Sequence, residues 1–257
     1  MGKWTWTVAV LLFGGAALRA QQPPAPAALD TYLNQWEQKM KAVESLVGPC
    51  ARTEKDKAFG STKVYEGTAR FLKPNMAILE LRNKEKPELF EKYVCTGTYL
   101  YEYSQMNKVI RIHELPQKNG VADDNFLSFL FGMKAADAKQ RYDLKLSKED
   151  AYYIYVDIVP KQALDKADFS RAQMVLTKGT YLPRRLWFEQ PNGNEVTWDL
   201  PKTEQNTPLD RKIFIAPETP TGWTKESVPR ATEATPKPGT PPAPGGTVPP
   251  RVYRPNN

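Results

Sequence analysis

The sequence predicts a mainly β (α+β) domain, a curved antiparallel half-barrel of about eleven strands covered by an N-terminal helix and a short helical lid. Short segments with apolar residues at alternating positions recur along the chain, and turn signals separate them. An amphipathic segment precedes them, and an insert rich in Phe and Leu divides them into two groups. Open antiparallel sheets of this size curl or close, so we expect helices on the concave side.

The first group of strands is predicted to be an antiparallel meander. Its strands are expected at about 49–58, 63–73, 76–83, 89–96, 98–104 and 108–115. Pro74 and Pro87 belong at turns or strand ends, because proline cannot donate to a ladder. Gly97 can adopt a positive φ in a tight connection. Strands this close in sequence pair with their neighbours.

Residues 28–47 are predicted to form the N-terminal helix. Apolar residues recur at steps of three and four from Leu29 to Val47, and polar residues occupy the other side. Gly48 and Pro49 are expected to end this helix. The apolar stripe must be covered, and the sheet that follows is the candidate for covering it.

The insert between the two groups of strands is predicted to be helical. Asp123 or Asp124 is expected to cap a short helix that runs from Phe126 and is closed by Gly132. A second short helix is expected around residues 135–140. Because the first of these helices is apolar nearly all round, it either plugs a cavity or lines one.

The second group of strands is predicted at 141–147, 151–160, 168–178, 181–190 and 194–202. Asn192-Gly193 indicates a hairpin turn between the last two of these strands. The apolar residues 213–215 are expected to dock on the sheet before Pro217.

Both flanks of the domain differ from it in composition. Residues 1–20 have the charged start and apolar run of a secretory signal peptide, with an uncleaved anchor as the alternative. Residues 21–28 read as a Pro-rich linker, 29–217 as the half-barrel domain, and 218–257 as a disordered Pro-rich tail. The chain is therefore predicted to be exported to the periplasm, and its tail either recruits a partner or is passive.

The net charge of the chain is positive but small, so it says little about the chemical class of a partner. The 36 basic residues lose Lys3 and Arg19 with the signal peptide, which leaves 34 against 29 acidic residues. This spread-out excess weakly favours anionic surfaces such as membranes. We find no nucleic-acid-binding motif, so no nucleic-acid partner is predicted.

The residues that could carry catalysis are few. His113 is the only histidine, which excludes a zinc site built from several histidines, and its place beside Glu114 on a strand favours a structural role. Asp123-Asp124 indicates a helix cap rather than a metal pair. Cys50 and Cys95 are expected on the first and fourth strands, about 14 Å apart in an open sheet, which favours two buried thiols; a strongly curled sheet would allow a disulfide instead. We predict neither an enzyme nor a cofactor or metal site.

Several motifs together resemble the LolA/LolB-like superfamily, whose members include carriers of bacterial outer-membrane lipoproteins. Residues 67–75 (GTARFLKPN) are similar to the glycine, aromatic strand and basic-Pro step of the carriers, and 95–103 (CTGTYLYEY) to their second glycine hairpin. Residues 126–132 fall where the carriers have a lid helix, 158–161 (IVPK) resemble a strand end, and 191–197 (PNGNEVT) a hairpin. Within the superfamily the chain looks most like an uncharacterised exported subgroup.

The resemblance, over roughly residues 29–215, implies a hydrophobic cavity between sheet and helices. Its expected lining is apolar or aromatic: Phe71, Leu79, Leu81, Tyr99, Tyr101, Ile110, Ile112, Phe126, Phe129, Leu130, Trp187 and Trp198. The alternative is that these residues simply fill the core. The carriers place an arginine before the proline of the basic-Pro step, where it ties the lid to the sheet. Lys73 occupies that position here and is the implied lid contact.

Two functions are therefore considered. The first is an exported, non-catalytic binding protein that holds lipid or the acyl chains of a lipoprotein in the cavity, as a periplasmic carrier would. The second is a sensor or scaffold module of the same fold that recruits a protein partner, at the membrane or elsewhere, through its Pro-rich tail.

Overall fold

A computed structural model describes residues 26–115, 117–118, 121–122 and 133–228, in which one curved, unclosed sheet of 13 strands carries few helices. The helices are α1 (Pro26–Ala42), α2 (Ala135–Arg141), α3 (Ala163–Asp168) and a 3-10 turn at Arg211–Ile213. The strands are β1 (Ser45–Asp56), β2 (Ser61–Leu72), β3 (Met76–Asn83), β4 (Phe90–Thr96), β5 (Tyr99–Ser104), β6 (Val109–Glu114), β7 (Gln117–Lys118), β8 (Val121–Ala122), β9 (Tyr142–Glu149), β10 (Tyr153–Pro160), β11 (Arg171–Thr177), β12 (Pro183–Glu189), β13 (Glu195–Asp199), β14 (Glu204–Gln205) and β15 (Thr224–Val228).

The sheet consists of two antiparallel meanders joined edge to edge. Its order is β15-β6-β5-β4-β3-β2-β1-β13-β12-β11-β10-β9, while β14 pairs with β1 and β7–β8 form a separate small hairpin. The first strand of one meander meets the last strand of the other, with Ala51 opposite Asp199. The eleven predicted strands correspond to β1–β6 and β9–β13, so the predicted fold class is confirmed.

A side-chain contact across three strand spacings demonstrates the curvature. Arg52 on β1 donates from Nη2 to Oε1 of Glu91 on β4 at 2.7 Å. In a flat sheet these strands would lie about 14 Å apart, which is beyond the reach of a single ion pair without curling. The first meander therefore bends toward the side on which Arg52 and Glu91 lie.

The N-terminal helix is shorter than predicted. It ends at Ala42, and Ser45 to Val47, which the periodicity placed in the helix, pair with β2 through Leu46 and Phe71. Tertiary contacts determine where α1 ends. The side chain of Asn206 donates to the carbonyl oxygen of Ala42 and accepts from the amide of Glu44. Local periodicity cannot register such distant partners.

The two faces of the sheet are covered by different parts of the chain. On the helix-covered face, Leu33, Trp36 and Met40 of α1 are buried in the main core cluster, together with residues of α2 and of both meanders. On the opposite face, the segment 206–223 covers β3–β6 and buries Phe214 in a second, smaller cluster. The expected docking of residues 213–215 is thus carried by Phe214, while Ile213 and Ile215 remain exposed.

The sheet continues past the predicted end of the domain at residue 217. Residues 224–228 form β15, which pairs in parallel with the edge strand β6. The sequence TKESV shows no apolar alternation, and its first four residues are exposed. An edge strand needs only its backbone ladder, which explains why composition placed these residues in the tail.

The remaining predictions fall partly outside the described residues. α2 confirms the short helix expected around residues 135–140. The signal peptide, the linker up to residue 25, the Phe/Leu helix of the lid and the tail from residue 229 lie outside them. Within the described ranges, no helix combines the length and the apolar character that crossing a bilayer requires.

Candidate ligand-binding site

Four of the twelve residues predicted to line a cavity lie on the helix-covered face. Phe71 and Leu81 belong to the main core cluster, and Leu79 and Trp198 pack against it. The cross-strand pairs agree, because Phe71 lies opposite Ala77 and Ala69 opposite Leu79. These four residues therefore share one face of the sheet.

Five others lie on the opposite face, which corrects the prediction that they share the same cavity. Tyr101, Ile110 and Ile112 belong to the smaller cluster under residues 206–223, and the exposed ring of Tyr99 contacts that of Tyr101. The error has a physical cause. A sheet covered on both faces carries apolar residues at both alternating sets of positions, so alternation alone does not say which set faces which cover.

Trp187, the fifth of these, is part of a polar surface. Its indole Nε1 lies 3.3 Å from Oε2 of Glu195, and the guanidinium of Arg171 lies 5.2 Å from the ring centroid. Leu186, its neighbour in sequence, is buried in the main core cluster on the other side of the strand. Trp187 therefore does not line a space between sheet and helices.

The last three lining residues, Phe126, Phe129 and Leu130, lie outside the described residues, so the predicted cavity beneath them stays a prediction. Phe71 does line a void, together with Leu46, Ala69, Leu182 and other neighbours, but its volume is about 10 Å³. A void of that size barely accommodates one water molecule.

Lys73 makes a contact that the sequence did not indicate. Its Nζ donates to the carbonyl oxygens of Met40 at 2.7 Å and Lys41 at 2.9 Å, at the C-terminal end of α1. A cation is favourable there because the last carbonyls of a helix are unsatisfied and carry partial negative charge. Burial lowers the pKa of Lys73. Lys73 therefore ties α1 to the sheet, whereas the predicted lid lies outside the described residues.

A cleft of about 360 Å³ opens on the helix-covered face between α1, α2 and the edge strand β9. Leu29, Tyr142 and Leu144 form its apolar floor, and the polar residues Asp30, Lys139, Asp143 and Lys161 complete its lining. Leu29 and Leu144 are half-buried, whereas Leu33, one turn further along α1, is 1% exposed. The apolar layer between helix and sheet is therefore accessible at this edge.

The rim of the cleft is balanced in charge. Lys139 Nζ lies 2.6 Å from Oδ1 of Asp30, and Lys161 Nζ lies 3.1 Å from Oδ1 of Asp143. Lys161 also donates to the carbonyl oxygen of Lys139 at 2.8 Å, which joins the two pairs. Because each cation has a carboxylate partner, the rim does not favour a ligand of either charge.

Two contacts hold the helices around the cleft. The hydroxyl of Tyr32 on α1 donates to Oε2 of Glu149 at the end of β9, and this hydrogen bond, with burial, raises the pKa of Tyr32 to about 12. Oε2 of Glu37 accepts from the amide of Ala135 at 2.8 Å, at the start of α2. The cleft is thus built by three elements whose relative positions are fixed by side chains.

Charged side chains also lie on the helix-covered face of β5 and β6. Oε2 of Glu102 lies 3.0 Å from Nε2 of His113, and Oε1 lies 3.4 Å from Nη1 of Arg111. His113 is opposite Leu100, which packs against the main core cluster, so these residues face inward. His113 therefore lies beside the carboxylate of Glu102, within one small polar group on the sheet.

Arg52 forms a second inward-facing ionic group and is 1% exposed. Its Nε lies 2.9 Å from Oε1 of Glu54, and its guanidinium lies 4.6 Å from the ring centroid of Tyr65. Burial raises the pKa of Glu54, although Arg52 acts in the opposite direction. This group, which also includes Glu91, stabilises the bend of the first meander.

The chemistry of the described residues offers little to catalysis. Cys50 and Cys95 lie on β1 and β4 as buried free thiols, as predicted. Burial raises the pKa of Cys50 to about 12 and also raises the pKa of Cys95, so both thiols are protonated at neutral pH. No group of three His, Cys, Asp or Glu side chains in the described ranges is placed to hold a metal ion.

Sequence reasoning did not identify the cleft. Leu29 belonged to the predicted helical stripe, and Tyr142 and Leu144 alternate along a predicted strand, so each was expected in the core. One feature of the sequence could have indicated the cleft: Leu29 lies in the first turn of the helix, where the apolar stripe ends. Which strand lies beneath that turn follows only from the topology.

No protein-family profile matches the sequence, and no curated protein matches it. Among solved structures, an uncharacterised conserved protein from Thermus thermophilus is similar with a TM-score of 0.44 at 10% identity, over 78% of this chain and 99% of that one. The Pseudomonas aeruginosa MucA/MucB complex is similar with a TM-score of 0.42 at 12% identity, over 74% of this chain but only 61% of that one.

The LolA superfamily protein NE2245 from Nitrosomonas europaea is similar with a TM-score of 0.37 at 11% identity, over 72% of this chain and 96% of that one. These values describe a likeness of fold. The architecture of the present chain is established by its own strand order and register.

Proposed function

We propose that the protein is an exported, non-catalytic binding protein that holds an acyl chain between its sheet and its helices. The observation that carries the proposal is the cleft between α1, α2 and β9, with its apolar floor and paired rim. Its volume of about 360 Å³ falls at the lower end of the range for ligand sites, which suits one narrow chain. The sequence resemblance to lipoprotein carriers supports the same class of ligand.

The charge balance of the rim predicts that binding does not depend on the charge of the ligand's headgroup. Lys139 and Lys161 are each within 3.1 Å of a carboxylate, so neither has an uncompensated charge to offer a headgroup. Affinity would then come from the apolar area buried over Leu29 and Leu144. A fatty acid and its methyl ester are expected to bind with similar affinity.

The proposal is tested by titrating the protein with a fluorescent fatty acid and by native mass spectrometry of the purified protein. Leu144→Trp fills the floor of the cleft and is expected to weaken binding by about tenfold or more. Ile215→Trp is the matched control, because Ile215 is 62% exposed in the segment 206–223, away from the residues that line the cleft. Equal binding by both variants, or no binding by the wild type, would refute the proposal.

The scaffold function remains the second candidate, and β15 favours it. This strand fixes residues 224–228 to the edge of the sheet, directly before the Pro-rich segment. A partner bound to that segment would thus be held beside β6. Deleting residues 229–257 should abolish a pull-down interaction and leave fatty-acid binding unchanged; loss of both would count against a separate scaffold function.

A further inference from the structure

Three successive hairpin tips lie together at one end of the first meander. In an antiparallel meander alternate connections fall at the same end of the sheet, so residues 57–60, 84–89 and 105–108, which join β1–β2, β3–β4 and β5–β6, are neighbours. Adjacent strands are about 4.8 Å apart, so the three tips span roughly 20 Å.

Each of these tips exposes one large apolar side chain. Phe59 is 85% exposed, Met106 64% and Leu89 37%. Single exposed apolar residues are common, but one on each of three adjacent tips forms an apolar edge. The two connections at the other end of the same meander are different, since they contain the buried Asn75 and Gly97.

Side-chain hydrogen bonds order the first two tips. Oδ1 of Asp56 accepts from the amides of Ala58 at 2.9 Å and Phe59 at 3.1 Å. Oδ1 of Asn83 accepts from the amides of Glu85 and Lys86, both at 2.9 Å. The apolar side chains are therefore presented on formed turns, so little conformational entropy is lost when they become buried in a partner.

Exposed cations accompany the apolar tips. Lys63, Lys86 and Lys108 are exposed. Lys63 lies opposite Glu54 on β1; burial raises the pKa of Glu54, and Lys63 acts in the opposite direction. Glu85 and Glu88 on the middle tip offset part of this charge, but the chain from Gln21 onward still has 34 basic against 29 acidic residues. Lysines beside exposed apolar side chains suit a surface that is negatively charged outside and apolar beneath.

An indole lies behind the third tip. Trp223 is half-buried between the rings of Phe90, at 6.3 Å, and Tyr103, at 5.6 Å, and Thr224 next to it donates to the carbonyl oxygen of Lys108. Tryptophan with an apolar body and a polar N–H is favoured at the boundary between water and lipid. Its position extends the apolar edge onto the side of the sheet.

We propose that this tip edge, formed by Phe59, Leu89 and Met106 with Lys63, Lys86 and Lys108, docks on the surface of an anionic lipid bilayer. The three apolar side chains enter the interfacial region, and the lysines contact anionic headgroups. This surface is distinct from the acyl-chain cleft, which is built from α1, α2 and β9. The two surfaces share no residue and can therefore be altered separately by substitution.

Vesicle co-sedimentation tests the proposal, with vesicles of phosphatidylcholine alone and of phosphatidylcholine with an equal amount of phosphatidylglycerol. The form that starts at Gln21 is used beside the full chain, because residues 8–17 are apolar and could bind lipid themselves. This form retains every described residue. We expect it to bind the anionic vesicles and to bind the neutral ones about tenfold more weakly.

Variants at the two ends of the sheet give the matched comparison. Phe59→Ser is expected to lower anionic-vesicle binding severalfold, and the triple variant F59S/L89S/M106S to lower it at least about tenfold. Tyr152→Ser is the control, since Tyr152 is 72% exposed in the β9–β10 turn at the other end. The triple variant K63Q/K86Q/K108Q should remove the preference for anionic vesicles. Circular dichroism checks that each variant is folded.

Three results would overturn the proposal. The first is that wild type does not bind anionic vesicles. The second is that Y152S lowers binding as much as F59S does. The third is a dimer in solution that F59S/L89S/M106S dissociates while vesicle binding is unchanged, which would assign the tip edge to a second copy of the chain.

Discussion

The two ends of the first meander differ in how they are held. At one end, Lys73 binds the C-terminal carbonyls of α1, and the side-chain amide of Asn75 donates to the carbonyl oxygen of Gly97 at 2.8 Å. At the other end, the tips that carry Phe59 and Met106 project into solvent. The same strands thus have a tied end and a free end. At the tied end, substitutions are expected to lower the stability of the fold. At the free end, residues can be substituted with little effect on folding and are available to contact a partner.

The largest expected effect is at Gly97 on the tied end. Its φ is +95°, and a Cβ there would lie 2.7 Å from Oδ1 of Asn75, so alanine must strain the backbone and disturb the buried hydrogen bond. Gly97→Ala should lower the free energy of unfolding by about 2–4 kcal/mol in urea denaturation. Gly60→Ala, at φ +63° with nothing within 4 Å, should cost only about 1 kcal/mol. Equal costs would contradict the comparison.

A smaller effect is expected for Lys73. Lys73→Met keeps the length of the side chain but removes two hydrogen bonds to the end of α1. Because Lys73 is only half-buried, solvent screens the loss, and the free energy of unfolding should fall by roughly 1–2 kcal/mol. Lys86→Met on the free end is the control and should leave stability unchanged. If both variants lower the free energy of unfolding equally, the loss of a positive charge, and not the contact between Lys73 and α1, would explain the effect.

The hydrogen bond between Tyr32 and Glu149 should make stability depend on alkaline pH. The hydrogen bond to Glu149, with burial, raises the pKa of Tyr32 from the ordinary tyrosine value of 10.0 to about 12 in the folded protein. A raised pKa contributes stability that is present below pH 10 and lost as pH rises toward 12. Tyr32→Phe should therefore lower the free energy of unfolding by about 1 kcal/mol at neutral pH, and the difference from wild type should shrink between pH 10 and 12. A difference that stays constant over that window would refute this account.

The smallest effect is expected at the free end. Phe59 is 85% exposed, and no cavity or lost contact follows from Phe59→Ser. The free energy of unfolding should change by less than about 0.5 kcal/mol, measured by thermal denaturation. If Phe59→Ser lowers the free energy of unfolding by more than about 1 kcal/mol, the side chain of Phe59 contributes to the stability of the fold. Its apolar character would then be explained without a binding partner.

The strands could be predicted from the sequence because their signals are local. Turn residues such as Pro74, Pro87 and Gly97 separate alternating segments, and all eleven long strands follow from them. Strand β15 could not be predicted in this way, since an exposed edge strand is held by backbone pairing that leaves no apolar pattern. The candidate site was missed for a similar reason, because Leu29 and Leu144 meet only through the placement of α1 over β9.

The sequence by itself determined the class of fold, the periodicities of strands and helices, and the presence of a single histidine, which excludes zinc sites built from several histidines. Tertiary structure decided which face each apolar residue occupies, since both faces of β3–β5 are covered, one by the helix-side core and the other by residues 206–223. It also decided that the basic-Pro step binds α1 and that three tips share one end. The physical reason is the same in each case: alternation and turns act between neighbours in the chain, whereas coverage and contact depend on segments that lie far apart in sequence.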